Sequence, residues 1–432
     1  MNEAPAKEQD APEPEGAVEL AGERPAGAVI TRRAAARLRA GHVWVYRSDV
    51  TALPEEAMGE EAPALLPVVD ARGTGLGTAL YSPSSEIALR LVSREAIADE
   101  AAWLQILQAR MRAAIAARKS LLKDAETNAC RLIFSEADEL PGLIADKYDD
   151  LVVLQLLTKA LDNDAVRIVA TNVLREELHP AVIVERPDAR IRELEKLSVP
   201  LDAAPLYSRS GMRGEVSLQT EFLLNGLRFH YDAGAGQKTG AFLDQRENYA
   251  AAARYARGEA LDVCTYQGGF ALHLARVCSR VTGVDVSRAA LEVAERNLEA
   301  NADRIKVEVD WVEANAFDLL KDWSEAGTQY DTIVLDPPAF AKTKRAVEGA
   351  LRGYKELNLR AMKMLRPGGV LVTCSCSHHV SLAEFTAVVA AAAGDAGRRV
   401  RLIERRGAAA DHPVVLTIPE TEYLKCLICA VE

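Results

Sequence analysis

Short apolar runs alternate with helical patterns from residue 258 to the end of the chain. The apolar runs lie at 260–264, 281–286, 332–335 and 370–373, and the helical patterns lie at 269–278, 288–301, 347–365 and 381–393. Two further apolar stretches, at 400–405 and 422–431, complete the series. Strands that alternate with helices are typical of βαβ units. The pattern therefore predicts an α/β domain at 209–432 with a mostly parallel, doubly wound, Rossmann-like sheet.

Two smaller units are predicted before this domain. Trp44 and Tyr46 alternate at strand spacing, and strands bounded by Gly, Pro and Ser are predicted at 65–70, 75–81 and 87–93. Residues 27–96 thus form a small β-rich domain. A helical pattern at 95–123 connects it to a central α+β domain at 97–208. That domain has strands at 131–138, 142–148, 151–157 and 182–186 and a helix at 162–178. Asn225-Gly226 then predicts a hairpin over 217–231.

Charge is distributed unevenly along a chain of 432 residues with a formal net charge of −11. Residues 1–26 carry two basic and seven acidic side chains without periodicity, so we expect a disordered acidic tail. The next segment has five arginines before its first carboxylate, Asp49; they are Arg32, Arg33, Arg37, Arg39 and Arg47. This run favours contact with RNA phosphates. An ordinary solvated face is the alternative.

Cysteine content and apolar runs indicate the cellular compartment. Seven cysteines at irregular spacing do not form a disulfide framework. No apolar run reaches the roughly 18 residues of a membrane span, and the N-terminus lacks the apolar centre of a signal peptide. We therefore expect a cytoplasmic protein with no membrane partner.

The first two strands of the Rossmann-like domain end in residues suited to an adenosine-containing ligand. A strand-to-helix turn, Thr265 to Phe270, contains Gly268-Gly269, which lets a ligand approach the backbone and the helix N–H groups. It is not the G-x-G-x-x-G of dinucleotide sites. Asp285, roughly 20 residues later, ends the second strand, where an acid can accept ribose hydroxyls. S-adenosylmethionine fits this pattern better than a nicotinamide cofactor. The alternative is that Asp285 caps the next helix, a role that Ser287 already suits.

Two later strand ends carry an acid and a thiol. Asp336-Pro337-Pro338-Ala339-Phe340 offers acceptors in a stiff turn beside an aromatic ring, which suits a flipped-out base with an exocyclic amine. The sequence from Thr373 to His379 places Cys376 at the neighbouring strand end, where a thiol can act as a nucleophile. The alternative for the first motif is an ordinary turn.

Three other patterns carry less weight. Cys374, Cys376 and His378 share one strand face, as in a metal site, but no second ligand pair at zinc spacing follows, and we expect no metal. Cys426 and Cys429 lie on opposite faces of an apolar strand and are predicted to be buried. The segment 234–239 lacks the spacing of a phosphate-binding loop.

Several long segments resemble the bacterial 23S rRNA cytosine-C5 methyltransferases. They are GHVWVYRSDV (41–50), LGTALYSPSSEIALRLVSR (76–94), FSEADELPGLIADKY (134–148), GQKTGAFLDQREN (236–248), LDPPAFAK (335–342), RGYKELN (352–358) and SCSHH (375–379). These matches occur in order over nearly everything after residue 27. Members of this family join an N-terminal PUA domain, a central α+β domain and a C-terminal class I methyltransferase domain. The resemblance thus implies methyl transfer from S-adenosylmethionine to carbon 5 of a cytosine in 23S rRNA.

The resemblance also implies site residues. Cys376 corresponds to the nucleophile and Asp336 to the catalytic acid of the Asp-Pro-Pro motif. Cofactor contacts are expected from Asp262, Cys264, Tyr266, Gln267, Gly268, Gly269, Phe270, Asp285, Val286, Ser287, Asn315, Ala316, Phe317, Asp336 and Pro337. Substrate contacts are expected from Gln237, Lys238, Thr239, Gln245, Arg246, Pro338, Phe340 and Lys342.

This chain departs from the family at two cofactor positions. Gln267 stands where the family usually has a hydroxyl residue, and Asn315 where it commonly has Asp. The Asn315 carbonyl could still accept a hydrogen bond from the adenine amino group. We therefore expect weaker or retuned cofactor binding rather than its loss.

The implied mechanism begins with addition of the Cys376 thiolate to carbon 6 of an extruded cytosine, which makes carbon 5 electron-rich. Asp336 would assist at N3, and no residue is assigned as the base that removes the carbon-5 proton. The expected partner is 23S rRNA or a large-subunit assembly intermediate, and a homodimer is left open. Two alternatives remain: methylation of a guanine nitrogen without a thiol, and an RNA-binding assembly factor with a degenerate methyltransferase domain.

Overall fold

The computed structural model describes residues 26–59, 62–198, 202–211, 216–234, 241–341 and 343–432. The acidic tail predicted for residues 1–26 lies almost wholly outside these ranges. Within them, no helix has the length and apolar content that a membrane crossing needs.

The N-terminal domain is a six-stranded sheet with one helix. Its strands occur in the order β2-β6-β5-β4-β1-β3 across the sheet. The elements are β1 (Ala28–Ile30), α1 (Arg32–Arg39), β2 (Trp44–Tyr46), β3 (Val50–Ala52), β4 (Leu65–Asp70), β5 (Gly75–Tyr81) and β6 (Ile87–Ser93). The strands predicted at 44–46, 65–70, 75–81 and 87–93 are confirmed. Helix α1 was not predicted, although its buried residues Ala34, Ala35 and Leu38 lie on one face of the helix.

The central domain is a five-stranded sheet in the order β11-β10-β9-β8-β7, with helices on one face. The elements are α2 (Glu100–Ala117), β7 (Ala129–Phe134), β8 (Leu143–Tyr148), β9 (Leu151–Leu156), α3 (Asp164–Leu178), β10 (Val182–Glu185), α4 (Ala189–Leu194) and β11 (Ala204–Ser208). The predicted connector helix is shorter than 95–123. The strand predicted at 131–138 ends at Phe134, after which the chain forms a 3₁₀ turn.

A two-stranded hairpin joins the central domain to the C-terminal domain. It consists of β12 (Gln219–Leu224) and β13 (Leu227–Asp232) and turns at Asn225-Gly226, as predicted. Both turn residues have positive φ, 52° and 79°, which the tight turn between two antiparallel strands requires. Phe222 and Phe229 of the hairpin belong to one apolar core together with residues of both neighbouring sheets. The two larger domains therefore share a core.

The C-terminal domain is a seven-stranded sheet in the order β16-β15-β14-β17-β18-β20-β19, with five parallel strands and an antiparallel end. The elements are α5 (Arg246–Tyr255), β14 (Glu259–Val263), α6 (Gly269–Leu274), β15 (Arg280–Asp285), α7 (Arg288–Ala300), β16 (Glu308–Glu313), α8 (Ala316–Glu325), β17 (Tyr330–Leu335), α9 (Val347–Met364), β18 (Leu365–Ser375), α10 (Leu382–Ala396), β19 (Val400–Arg406) and β20 (Lys425–Val431). The α/β, Rossmann-like fold class is confirmed.

Both faces of this sheet are covered, which explains its continuous apolar runs. Cys426 packs in the core on one face and Cys429 in the core on the other, as predicted. Strand β16 escaped prediction because it is an edge strand with the mixed sequence EVDWVE, whose residues are half-buried or exposed. Helices α5 and α8 also lay outside the predicted helical patterns.

A buried ion pair connects the central and C-terminal domains. The Asp411 carboxylate accepts hydrogen bonds from both terminal nitrogens of Arg246, at 2.8 and 3.0 Å, and from the backbone N–H of Arg131 in β7, at 2.9 Å. Arg118, at the end of α2, donates to the Asp411 backbone oxygen at 3.0 Å. Asp411 and Arg246 are 1% and 2% exposed. This cluster fixes how the two domains are oriented around the site described next.

Candidate active site

The predicted site residues lie at the carboxyl ends of the parallel strands. The turns after β14, β15, β16, β17 and β18 meet at one edge of the sheet, the edge at which open α/β sheets bind ligands. Asp285 is the last residue of β15, and Asn315, Asp336 and Cys376 lie in the turns after β16, β17 and β18. The fold thus brings together residues that are far apart in the sequence.

Asp262, in β14, forms the hydrogen bonds that order the turn after this strand. Its Oδ2 accepts hydrogen bonds from Thr265 Oγ1 at 2.6 Å and from the Ala271 N–H at 2.8 Å. Its Oδ1 is buried without a hydrogen-bond partner among the described residues. Burial raises the pKa of Asp262 to about 7. In this structure Asp262 therefore orders the turn from within the core.

Glycine is required in this turn for two different reasons. Gly268 has a φ of +84°, in the left-handed region that side chains disfavour. A Cβ on Gly269 would lie 2.6 Å from the Tyr249 ring, which packs under the start of α6. Phe270 is 3% exposed and packs edge-on against Tyr249, with ring centroids 4.7 Å apart. The expectation that the Phe270 side chain contacts the cofactor is therefore wrong, because that side chain faces the core.

Asp285 connects the turns after β14 and β15. Its Oδ2 accepts from the Tyr266 N–H and its Oδ1 from the Ser287 N–H, each at 2.9 Å. Each oxygen keeps a further lone pair, so the carboxylate can still accept ribose hydroxyls. The N-cap of α7 is Ser287, so the alternative interpretation of Asp285 as the helix cap is wrong.

Asn315 caps helix α8. Its Oδ1 accepts from the N–H of Phe317 at 2.9 Å and of Asp318 at 3.4 Å. The carbonyl that we expected to receive the adenine amino group therefore already accepts two backbone hydrogen bonds. The Nδ2 group, a donor, is the part of the amide that the cap does not use.

Two large apolar side chains are exposed beside these polar groups. Val286, after β15, is 71% exposed, and Phe317, after β16, is 36% exposed. Exposed apolar groups at the ends of neighbouring strands suit a planar apolar ring, and Asp285 between them suits a ribose. The residues present therefore fit the adenosine part of S-adenosylmethionine.

Asp336 is held by a chain of side-chain hydrogen bonds. Gln245 Nε2 lies 3.0 Å from both carboxylate oxygens of Asp336 and donates to them. Gln245 Oε1 in turn accepts from Asn248 Nδ2 at 2.6 Å, and Arg406 donates to Asn248 Oδ1 at 2.9 Å. Gln245 is 3% exposed, so it positions the carboxylate instead of meeting solvent.

Cys376 lies against the Asp-Pro-Pro turn. Its Sγ is 3.9 Å from the backbone oxygen of Pro337. Cys374, two residues earlier, is fully buried opposite Cys426, and that thiol pair together with burial raises the pKa of Cys374 well above its usual value. Cys376 is thus the half-buried thiol that contacts the Asp-Pro-Pro turn, whereas Cys374 lies in the core with Gln245 as a hydrogen-bond partner.

Tyr354 joins the thiol strand to the Asp-Pro-Pro turn, a role that sequence reasoning missed. Ser375 Oγ donates to the Tyr354 hydroxyl, and the Tyr354 and Ser377 hydroxyls are hydrogen-bonded, both at 2.9 Å. Ser377 Oγ also accepts from the Ala341 N–H at 3.2 Å. The two serines flank Cys376 on either side. Tyr354 lies in the RGYKELN segment, whose family match was the available signal.

Lys425 is a second residue that sequence reasoning missed. It is 4% exposed, and its Nζ donates to the backbone oxygens of Ser377 at 2.7 Å and Tyr423 at 2.8 Å. Burial lowers the pKa of Lys425 to about 8, while the charge of the nearby Cys376 acts in the opposite direction. A lysine at the start of the apolar strand KCLICAV was the signal that could have identified it.

The structure places the predicted substrate residues in different environments. Arg246 forms the buried ion pair with Asp411, so the expectation that it contacts substrate is wrong. Pro338 is exposed, and Phe340 packs between Tyr354 and Phe317 at ring distances of 4.8 and 5.8 Å. Gln245 is the buried donor to Asp336 described above. The other four members of the predicted set lie outside the described residues; they are Gln237, Lys238, Thr239 and Lys342.

The basic run of the N-terminal domain is largely paired. Arg33 and Arg37 form ion pairs with Asp49, which is 2% exposed, and Arg39 pairs with Asp70. Asp49, which follows the run in sequence, folds back onto it and partly neutralises it, while Arg33 stays 73% exposed; contact of this run with RNA phosphates stays a prediction. As to metals, the described ranges hold no cluster of three His, Cys, Asp or Glu residues placed to bind an ion.

Comparisons with known proteins agree with this geometry. The model of the S-adenosylmethionine-dependent methyltransferase family matches residues 201–418, and that of the PUA-like domain matches residues 29–94. The ribosomal RNA large subunit methyltransferase I of Pseudoalteromonas translucida is 36% identical over 400 residues, covering 91% of this chain and 96% of the relative. The protein of the same name from Klebsiella pneumoniae is 35% identical over 394 residues, covering 90% and 94%.

Solved structures support the same fold. A methyltransferase crystallised in complex with SAH has a TM-score of 0.77 at 19% identity, covering 93% of this chain and 99% of its own. A methyltransferase from Streptococcus mutans has a TM-score of 0.76 at 18% identity with the same coverage. At these identities the likeness concerns the fold alone, whereas the sequence relatives match nearly end to end. The chain therefore belongs to the S-adenosylmethionine-dependent methyltransferases of the ribosomal RNA large subunit methyltransferase I family.

Proposed function

We propose that this protein methylates carbon 5 of a cytosine in large-subunit ribosomal RNA through a covalent cysteine adduct. The observation that carries the proposal is the contact of the Cys376 thiol with the turn that bears Asp336. A thiol beside a fixed carboxylate suits a pyrimidine, because one group can bond to carbon 6 while the other contacts the base edge. A guanine nitrogen would need no thiol. The named relatives supply the choice of ribosomal RNA.

Cys376 is the nucleophile in this proposal. Its thiolate forms a bond to carbon 6 of the extruded cytosine, and electron density moves to carbon 5. When bound, S-adenosylmethionine would supply an electrophilic methyl group for carbon 5 and leave as S-adenosylhomocysteine. A base, for which no residue is assigned, takes the carbon-5 proton; the electrons of that C–H bond re-form the double bond between carbons 5 and 6 as the bond between Sγ and carbon 6 breaks, which returns the thiolate. The buried ammonium of Lys425 stabilises that thiolate, since a nearby cation favours the charged form of a thiol.

Asp336 orients the base in this proposal. Because Gln245 donates toward both carboxylate oxygens, the remaining lone pairs are aimed away from the Gln245 side. These lone pairs can accept one hydrogen bond from the exocyclic amine of cytosine and another from the protonated N3 of the adduct. Uracil has a carbonyl at the position of that amine. The carboxylate therefore selects cytosine over uracil.

Nucleoside mass mapping of 23S rRNA tests the proposed function. RNA from a strain without this gene should lack one 5-methylcytidine, and complementation should restore it. The Cys376→Ala variant should not restore it but should still bind S-adenosylmethionine in calorimetry. Cys278→Ala is the matched control, because that thiol is also buried but lies near Asp331 at the start of β17, away from the Asp336 turn, and it should restore the modification. A methylated guanine at the affected position, or full activity of Cys376→Ala, would refute the covalent scheme.

A further inference from the structure

A cavity of about 290 Å³ lies where the three domains meet. We call it the junction pocket. Trp44 of the N-terminal domain, Phe134 and Glu136 of the central domain, and His378, Glu420 and Tyr423 of the C-terminal domain line it. Its volume is at the small end of the ~300–1,000 Å³ typical of small-molecule sites. It therefore has room for one planar group and not for a folded RNA element.

Aromatic rings form the walls of the junction pocket. The His378 and Tyr423 rings are 5.4 Å apart at an interplanar angle of 30°, and the Phe134 and Tyr423 rings are 6.3 Å apart at 48°. Trp44, which the N-terminal domain contributes to the pocket, is half-buried. Aromatic side chains are the usual stacking surfaces for unpaired nucleobases.

Carboxylates supply the polar groups of the junction pocket. Glu136 is held in place because its Oε1 accepts from the Trp44 indole N–H at 2.9 Å and its Oε2 from Ser135 Oγ at 2.5 Å. Glu420 is held by His42 at 3.2 Å. The one arginine in the lining, Arg131, is bound by Asp146. The pocket is thus acidic, which repels phosphate and favours ligand groups that donate hydrogen bonds.

The junction pocket adjoins the proposed catalytic thiol. His378 follows Cys376 by two residues, and Lys425 bridges the backbone oxygens of Ser377 and Tyr423. A nucleotide next to the extruded cytosine in the RNA must also lie a short distance from Cys376. The pocket receives side chains from all three domains, so it forms only when the domains are docked.

We propose that the junction pocket binds one nucleobase of the RNA substrate close to the target cytosine, and that it selects an amino-bearing base over uracil. The base stacks between Trp44 and Tyr423, and its N–H groups donate to Glu136 and Glu420. Uracil is disfavoured because its single N–H lies between two carbonyl oxygens, which would face the carboxylates. That the base comes from ribosomal RNA rests on the proposed function, whereas the chemistry of the pocket does not.

Nucleoside titrations test the pocket without RNA. The probes are guanosine, adenosine, cytidine and uridine, added to full-length protein whose cofactor site is filled with S-adenosylhomocysteine. The protein is labelled with ¹⁵N-tryptophan, which gives one indole signal for each of its four tryptophans, and Trp44→Phe assigns the signal of Trp44. The amino-bearing nucleosides should shift the Trp44 signal, with uridine several-fold weaker, and should leave the Trp103 and Trp323 signals unchanged.

Two variants locate the bound nucleoside. In Glu136→Gln the amide offers a donor to uracil, so the preference against uridine should be lost. In Asp336→Asn the Trp44 response should be unchanged, because that residue belongs to the proposed target site. No shift with any nucleoside, equal shifts with uridine, or loss of the response in Asp336→Asn would overturn the assignment.

Methylation kinetics test the pocket on the RNA itself. Trp44→Ala should raise the KM for 23S rRNA from the deletion strain by about 5- to 150-fold, the equivalent of ~1–3 kcal/mol for one stacked base. The kcat should stay the same, and Trp44→Phe should restore most of the affinity. A fall in kcat at constant KM would contradict a binding role. If wild-type protein methylates no cytosine in this RNA, the proposed function fails while the nucleoside titrations still decide the pocket.

Discussion

Replacing Asp411 by asparagine removes the anion from the buried cluster between the central and C-terminal domains. The carboxylate accepts two hydrogen bonds from Arg246, one from the Arg131 N–H and one from His412 at 3.2 Å. Asparagine retains one acceptor oxygen but turns an N–H₂ group toward these donors, and it leaves the buried Arg246 guanidinium with only the longer, 3.6 Å ion pair to the partly exposed Glu247. Removing one partner of a buried ion pair costs ~3–5 kcal/mol, so we expect a loss of that size in the free energy of unfolding.

Urea denaturation followed by tryptophan fluorescence measures this loss. The matched control is Glu348→Gln, which breaks the exposed pair of Glu348 with Arg352 and should cost less than ~1 kcal/mol. A loss below ~1 kcal/mol for Asp411→Asn, equal to that of the control, would show that the cluster does not stabilise the domain junction.

The same variant has a pH signature. Burial by itself would raise the pKa of Asp411, but hydrogen bonds and charges from His412 and Arg246 hold it well below its usual range. The stabilisation is therefore complete above the unfolded pKa of about 3.9 and is lost as the pH falls through the lower folded-state pKa. The difference between wild type and Asp411→Asn should shrink as the pH falls below about 4. A difference that grows as the pH falls below about 4 would contradict this assignment.

Two further substitutions test the active site. Lys425→Met removes the ammonium near Cys376, so the pH–rate profile of methylation should move to higher pH. The affinity for S-adenosylmethionine, measured by calorimetry, should stay the same. A pH–rate profile that does not move would contradict stabilisation of the thiolate by Lys425. Gly269→Ala places a Cβ 2.6 Å from the Tyr249 ring and should cost ~1–3 kcal/mol of stability and weaken cofactor binding in calorimetry. Its control, Gly394→Ala, adds a Cβ to open space inside α10 and should leave cofactor binding unchanged while stabilising the helix by ~0.5–1 kcal/mol.

The order of elements could be predicted where one residue pattern dominates. Strands buried on both faces, such as β17 and β18, appear as continuous apolar runs, and the Asn225-Gly226 turn requires the positive φ that these two residues tolerate. Edge strand β16 was missed because its residues are all half-buried or exposed, which removes the alternation of buried and exposed positions. Local patterns thus predict buried elements better than exposed ones.

The chemistry of the site was only partly accessible from the sequence. The sequence by itself determined which residue types stand at the strand ends, including Cys376, Asp336 and Asp285, because the strand–helix alternation and the family motifs locate them. Only the tertiary structure decided what each side chain faces. Phe270 and Arg246 face the interior, while Lys425 and Tyr354 arrive from distant elements to bracket the thiol. The physical reason is that burial and hydrogen-bond partners depend on contacts between segments far apart in the chain, which no local pattern records.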